Sequence, residues 1–242
     1  MTGNRDVHPS TDTTVVVVTG AAALSADAAS RVPAGAIVLA ADGGLDHALA
    51  AGLTPAGLIG DLDSVSEDGL AWARDHATID RHDPDKDRTD TELALAMAAE
   101  FAPDRLVLLS GGGDRLDHLL AVIGALGDRV LTAIPHVDGW WGDERFHVLH
   151  GPGQLRLEVE EGALVSLLAT HGSAGGVTTT GLRWPLDDHD LEPLAGHGVS
   201  NEAVQEHVEV RVRSGVLTVF VRPPEPSHRT GHDGDDGDHT DR

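Results

Sequence analysis

The chain has a single lysine, and this lysine lies in an acidic segment. Residues 83 to 92 read DPDKDRTDTE, so five carboxylates accompany Lys86, while arginine fills every other Lys or Arg position. A compact ammonium fits between carboxylates and phosphates in a way that a planar guanidinium does not. The sequence leaves two interpretations open: Lys86 has a charge-balancing role that arginine cannot fill, or it is a chance survivor on a solvated loop.

Asp61 and Asp63 form a second acidic group, in the segment GDLDS at residues 60 to 64. If the chain stays extended there, residues two apart point to one side, and adjacent carboxylates repel unless a cation compensates. Mg²⁺, which prefers one or two carboxylates together with substrate phosphates, is the ion that this pattern predicts. The alternative is a loop in which Asp63 caps the following helix.

Thr89 and Glu92 have the spacing of a helix capping box, and Asp90 is favourable in the first turn of the same helix. Capping explains Thr89 and Glu92. It leaves the acids and the lysine that precede them without a purpose.

Residues 110 to 118, SGGGDRLDH, indicate a strand end, a glycine loop and a helix start. Such a loop presents main-chain N–H groups to phosphate, and Arg115 adds a guanidinium that can hold phosphate oxygens bidentately. Asp117 and His118 more often brace a loop than act in catalysis, although a general-base role for His118 stays open.

The elements that must position these residues alternate along the first half of the chain. Runs that begin with apolar residues, at residues 14–20, 36–42, 57–64, 77–82 and 105–111, are separated by segments with helical spacing. This pattern predicts an α/β fold with a doubly wound, mostly parallel sheet that has helices on both faces. Because ligands bind such sheets at the carboxyl ends of the strands, we expect the acidic and glycine-rich segments to meet at one edge.

From about residue 143 the pattern changes to short alternating strands separated by Gly-rich turns, which predicts a C-terminal all-β sandwich. We therefore divide the chain into a disordered N-terminus (1–12), an α/β domain (13–138), a β-sandwich domain (139–222) and a disordered acidic tail (223–242). The tail has no apolar side chains to bury.

Composition narrows the function classes. A formal net charge of −23 argues against binding to nucleic acid or to an anionic membrane surface. The absence of cysteine excludes disulfides and thiolate metal sites and favours a cytoplasmic location. The first residues carry the pattern of neither a signal peptide nor a membrane span.

Several segments, taken in order and spacing, resemble the signature of the thiamine pyrophosphokinase family. They are ADGG (41–44), GDLDS (60–64), DKDRTDTE (85–92), GGDRLDH (112–118), GLRWPL (181–186) and GVSNE (198–202). The resemblance spans residues 36–222 and implies an ATP-binding α/β domain followed by a β-sandwich. It also implies a homodimer with the active site near the dimer interface, and transfer of pyrophosphate from ATP to thiamine with release of AMP. Val122 departs from the pattern, because the family usually has asparagine there, and this change affects one polar contact near the helix.

The resemblance assigns roles residue by residue. It implies Mg²⁺ ligands at Asp61, Asp63 and Asp90. It implies catalytic roles for Lys86, Asp87, Asp90 and Arg115, with Asp87 or Asp90 accepting the proton of the attacking hydroxyl. Implied contacts with ATP, the co-substrate, are Asp42, Gly43, Gly44, Asp85, Thr89, Gly112, Asp117 and His118, and implied contacts with thiamine are Trp184, Ser200 and Asn201.

Two features keep other functions open at this stage. Trp184 would attract a thiazolium ring by a cation–π interaction, but a core aromatic of the sandwich is the alternative. The acidic edge also suits a metal-dependent phosphotransferase or hydrolase acting on another nucleotide or alcohol, or a non-catalytic nucleotide-binding protein.

Overall fold

The computed structural model describes residues 13–113 and 115–224. Strands and helices alternate first: β1 (Thr14–Val18), β2 (Ile37–Ala41), α1 (Gly44–Ala50), β3 (Gly57–Gly60), α2 (Glu67–His76), β4 (Thr78–Arg81), α3 (Asp90–Glu100), β5 (Arg105–Ser110) and α4 (Leu116–Leu126). Strands then follow one another: β6 (His136–Trp141), β7 (Glu144–His150), β8 (Gly153–Glu158), β9 (Leu164–Ala169), β10 (Ala174–Thr180), β11 (His189–Leu191), β12 (Asn201–Glu202), β13 (His207–Val212) and β14 (Val216–Arg222). The predicted disorder of residues 1–12 and 225–242 lies outside the described residues.

The parallel part of the large sheet has the order β6-β5-β1-β2-β3-β4. Its central strand β1 contains four valines that are fully buried, because both faces of the sheet are covered. Helices α3 and α4 pack on one face, and α1 and α2 pack on the other. The predicted doubly wound sheet is confirmed.

The second half of the chain forms the predicted sandwich. One layer is the antiparallel end of the large sheet, β12-β9-β14-β7, and the other is a four-stranded sheet with the order β11-β10-β13-β8. Strand β13 shows why the two sheets pack face to face. Val208, Val210 and Val212 alternate with polar residues, so every second side chain enters the core between the sheets.

The two halves share one continuous ten-stranded sheet. Strand β6 pairs parallel with β5 on one side and antiparallel with β7 on the other. The predicted boundary between residues 138 and 139 falls within this strand, and the division into two domains stays a prediction. Within the described part of the chain, no helix combines the length and the apolar character needed to cross a membrane.

Candidate active site

Three carboxylates meet at the carboxyl edge of the parallel strands. Asp42 follows β2, Asp61 follows β3 and Asp90 is the first residue of α3. One oxygen from each lies within 4.8 Å of the others. We refer to these three residues as the acid cluster.

Local backbone geometry brings the cluster together. Asp42 adopts a left-handed conformation with φ of 46°, which turns the chain sharply at the end of β2. Gly60 has a φ of 148°, and a Cβ atom at this position would lie 2.9 Å from Asp90 Oδ1 and 3.1 Å from Asp42 Cβ. Glycine at position 60 therefore allows the Asp42 and Asp90 side chains to close over the end of β3.

Lys86 lies between two members of the acid cluster. Its Nζ atom is 3.2 Å from Asp61 Oδ2 and 3.0 Å from Asp90 Oδ1. Partial burial opposes the charge on Lys86, but the two carboxylates outweigh burial and raise the pKa of the ammonium. Burial likewise opposes ionisation of Asp61, yet the N–H of Asp63 and the Lys86 ammonium hold the pKa of Asp61 below its usual range.

Asp42 is the member of the cluster that Lys86 does not contact in the described structure. Burial raises the pKa of Asp42, and the nearby charges of Asp90 and Asp61 add to this effect. Its buried Oδ1 atom has no hydrogen-bond partner among the described residues. Such an orphaned carboxylate oxygen is costly unless a cation or a donor compensates it. The donor set, hard oxygens only, fits a small divalent cation.

A cleft of about 290 Å³ opens beside the acid cluster. Six residues that the sequence singled out line it: Asp42, Gly43, Thr89, Asp90, His118 and Val122. Thr19, Gly20, Ala21, Ala41, Ser64, Thr91 and Trp141 complete the lining. The cleft thus joins the ends of β1 and β2 to the starts of α3 and α4.

Thr89 caps α3 as the sequence predicts. Its Oγ1 accepts a hydrogen bond from the Glu92 N–H at 3.2 Å, and Glu92 Oε2 accepts one from the Thr89 N–H at 2.7 Å. The cap fixes the first turn of the helix that carries Asp90.

Several predicted residues lie outside the acid cluster. Leu62 has a φ of 72°, so the chain is not extended there, and the exposed Asp63 carboxylate accepts a hydrogen bond from the Ser64 hydroxyl. Asp85 and Asp87 are exposed on the loop around Lys86. The predicted roles of these three acids stay predictions.

Local structure accounts for several of the other predicted residues, namely two glycines and the charged pair at the start of α4. A Cβ atom on Gly44 would lie 2.3 Å from the Val18 carbonyl oxygen, so glycine lets α1 pack closely on β1. Gly112 has a φ of 79°, which favours glycine. Arg115 and Asp117 form an exposed ion pair at 2.6 Å, and the hydrogen bond from Arg115 lowers the pKa of Asp117.

The residues predicted to contact thiamine form a separate group in the second half of the chain. Trp184 is 59% exposed, and Arg183 lies over its ring at 5.8 Å. Ser200, with a φ of 58°, and the buried Asn201 follow each other beside it. Trp184, Ser200 and Asn201 do not line the cleft at the acid cluster.

Comparison with protein families matches both halves. Residues 31–134 match the model described as thiamin pyrophosphokinase, catalytic domain, and residues 153–217 match the model described as thiamin pyrophosphokinase, vitamin B1 binding domain. Together the two models match more than half of the chain. The chain belongs to the thiamin pyrophosphokinase family.

Individual relatives agree with this membership. The chain is 27% identical over 182 residues to the thiamine pyrophosphokinase of Bacillus subtilis, covering 74% of this chain and 84% of the relative. A crystal structure of thiamine pyrophosphokinase from Bacillus subtilis aligns with a TM-score of 0.75 at 23% identity, covering 88% of this chain and all of the other. The thiamin pyrophosphokinase from Candida albicans aligns with a TM-score of 0.71 at 15% identity, covering 87% and 88%.

Gly60 and Trp141 are among the site residues of this thiamin pyrophosphokinase family member that the sequence did not indicate. Gly60 lies in the GDLDS segment, but the reason for glycine there is in other elements: the Asp42 and Asp90 side chains approach its main chain so closely that a Cβ atom would not fit. Trp141 ends β6, far from the other lining residues in sequence, and reaches the cleft because β6 pairs with β5. The signal for Trp141 is a tryptophan at the end of a strand, which becomes informative only once the strand order is known.

Proposed function

We propose that the protein transfers the pyrophosphoryl group of ATP to the hydroxyl group of thiamine, giving thiamine diphosphate and AMP. The observation that carries this proposal is the meeting of Asp42, Asp61, Asp90 and Lys86 beside one cleft, all four within the segment matched as a catalytic domain. The match of residues 153–217 to a vitamin B1 binding domain supports thiamine as the acceptor. Neither of the alternative functions requires such a domain.

The acid cluster would hold Mg²⁺ through Asp42, Asp61 and Asp90, and the unpaired Asp42 oxygen supports this assignment. When bound there, Mg²⁺ would supply neutralisation of the negative charge on the triphosphate. Asp63 stays a predicted additional ligand from the family resemblance.

The chain's own cations would position the phosphates. Lys86 presents an ammonium at the acid cluster, held by carboxylates on both sides. Arg115, at the start of α4, is the predicted bidentate partner of phosphate oxygens. The main-chain N–H groups of Gly43 and Gly112 are predicted to donate to the same oxygens, since each follows a strand at this edge.

In the proposed reaction the hydroxyl oxygen of thiamine attacks the β-phosphorus of ATP. A bond forms between these two atoms, and the bond from the β-phosphorus to the oxygen shared with the α-phosphorus breaks, so that this oxygen leaves with AMP. Asp87 or Asp90 accepts the hydroxyl proton. Asp90 is favoured by position, because it lines the cleft whereas Asp87 is exposed outside it.

We further propose a homodimer in the cytoplasm, with the thiamine group of one copy near the cleft of the other. Leu116 and Leu120 on α4 are 69% and 56% exposed and, four residues apart, lie on the same face of the helix. Next to them an apolar cavity of about 150 Å³ includes Leu119, Ile123 and Phe220 in its lining. Contiguous exposed apolar surface of this kind marks an interaction site.

The experiment that tests the proposed activity is incubation of the purified protein with ATP, Mg²⁺ and thiamine, followed by chromatography. We expect AMP and thiamine diphosphate in equal amounts. AMP without thiamine diphosphate would favour a hydrolase or another phosphotransferase. Nucleotide binding with neither product would favour a non-catalytic protein.

A further inference from the structure

Trp184 combines an exposed side chain with a fixed main chain. The residue is 59% exposed, in a loop between β10 and β11. An exposed aromatic ring on a mobile loop would lose conformational freedom whenever a ligand ordered it, which weakens binding. The way in which this loop is held therefore matters for any ligand that stacks on the ring.

Asn201 supplies the contacts that hold the Trp184 main chain. The Trp184 N–H donates to Asn201 Oδ1 at 3.1 Å, and Asn201 Nδ2 donates to the Trp184 carbonyl oxygen at 2.7 Å. Asn201 Oδ1 also accepts from the Glu202 N–H at 2.9 Å. In the described structure these are the hydrogen bonds of the Trp184 main chain.

This pairing requires a carboxamide. One side-chain group must accept from the N–H and donate to the C=O of the same residue, and asparagine carries both functions on adjacent atoms. Aspartate keeps the acceptor but loses the donor, and alanine loses both. Because Asn201 is 6% exposed, water does not readily replace the missing bonds in such variants.

Asn201 is itself anchored in the large sheet. It begins β12, which pairs antiparallel with β9 through Val165. The preceding Ser200 donates its main-chain N–H to Ser166 Oγ at 3.0 Å. Asn201 therefore connects the Trp184 main chain to β9, beside the main-chain hydrogen bond from the Arg183 N–H to the Glu202 carbonyl oxygen at 2.8 Å.

We propose that Asn201 is a positioning residue that presents the Trp184 ring as a fixed surface for the cationic ring of thiamine, and that it acts through Trp184 rather than by touching the substrate. This inference rests on the proposed function, because it takes thiamine as the ligand of Trp184. It assigns to Asn201 a different role from the direct thiamine contact that the family resemblance implies.

A double-mutant cycle tests the proposal. Trp184→Ala should raise the KM for thiamine about 2- to 30-fold, the range of a cation–π contact. Asn201→Ala should raise it by no more than that and leave the KM for ATP unchanged. The double variant Asn201→Ala with Trp184→Ala should have the same KM for thiamine as Trp184→Ala alone, because without the ring the position of its main chain no longer affects thiamine binding. Effects of the two substitutions that multiply in the double variant would overturn the proposal.

A second measurement reads the positioning directly. Hydrogen–deuterium exchange of the peptide covering residues 181–186 should be faster in Asn201→Ala than in the wild type. Asn201→Asp, which lacks only the donor, provides the test if the alanine variant does not fold. Glu202→Gln is the matched control: it removes the neighbouring 2.8 Å ion pair with Arg183 and should leave both thiamine KM and exchange at Trp184 unchanged.

The outcomes separate this inference from the proposed function. A wild-type protein that makes no thiamine diphosphate would contradict the function, while the exchange experiment would still report whether Asn201 holds Trp184. An active Asn201→Ala variant with unchanged thiamine KM, or with unchanged exchange in residues 181–186, would overturn the inference alone.

Discussion

At the scale of single residues, the position of Lys86 explains why a lysine stands in an acidic segment. Its ammonium bridges Asp61 and Asp90 at 3.2 Å and 3.0 Å, within a side chain that is 14% exposed. A guanidinium is wider and planar, so it does not fit the same space between the two carboxylates. The charge-balancing interpretation of Lys86 is therefore favoured over a solvated loop residue.

Substitution of Lys86 tests this interpretation. Lys86→Met should raise the KM for ATP strongly, because it removes the cation from the phosphate end and leaves two close carboxylates unbalanced. Lys86→Arg should recover only part of the loss, since the charge returns in the wrong shape. Steady-state kinetics with ATP varied at saturating thiamine provide the measurement. A methionine variant with wild-type kinetics would show that Lys86 has no role in ATP binding or turnover.

The acid cluster gives a second prediction at this scale. Asp61→Asn should reduce turnover by at least about a hundredfold, comparable to the loss of a major electrostatic stabiliser, while the circular dichroism spectrum stays that of the wild type. Asp75→Asn, the same charge change at an exposed position on α2, is the matched control and should keep wild-type turnover. Unchanged turnover of Asp61→Asn at saturating Mg²⁺ would remove Asp61 from the site.

At the scale of elements, strand ends and helix starts carry the site. The cap of α3 illustrates this, because Thr89 fixes the turn that holds Asp90. Thr89→Ala should lower the free energy of unfolding by about 0.5–2 kcal/mol, as measured by urea denaturation. It should also raise the KM for ATP, because Asp90 and the cleft lose their fixed geometry.

The control for Thr89 is another cap in the same fold. Ser66 accepts a hydrogen bond from the Gly69 N–H at 2.9 Å and caps α2, which carries none of the acid cluster. Ser66→Ala should lower stability to a similar extent and leave the KM for ATP unchanged. Equal effects of both substitutions on the KM for ATP would show that loss of stability alone, rather than the position of Asp90, explains the Thr89 result.

The sequence predicted these elements better than it predicted the details of the site. Apolar runs and the capping box are local signals, so the parallel sheet and the start of α3 could be predicted from them. The turn at Leu62, which interrupts the extended chain between Asp61 and Asp63, could not, because a left-handed leucine has no sequence signature. The turn at Asp42 was better signalled, because aspartate tolerates the left-handed region and two glycines follow it.

At the scale of the whole molecule, one sheet connects the two halves. Strand β6 passes between the parallel and antiparallel parts and delivers Trp141 to the cleft. Sequence periodicity identifies strands but does not give their partners, so this continuity could not be predicted. The shared sheet gives the acid cluster and the sandwich a common rigid frame.

Association of two copies is a prediction at this scale. Leu120→Glu places a charge on the exposed apolar face of α4 and should convert a dimer into a monomer, which sedimentation velocity measures. Ala71→Glu adds the same charge on the exposed side of α2 and should leave the dimer intact. A wild-type monomer would contradict the proposed dimer, and a Leu120→Glu variant that remains a dimer would place the interface elsewhere.

The transfer of pyrophosphate is the central claim, and labelled ATP tests it most directly. In parallel reactions with thiamine and Mg²⁺, ATP labelled at the α-phosphorus should give labelled AMP, and ATP labelled at the γ-phosphorus should give labelled thiamine diphosphate. The Asp61→Asn protein should give neither product at a comparable rate. Release of the γ-label as inorganic phosphate together with ADP, without label in any thiamine compound, would contradict the proposed reaction.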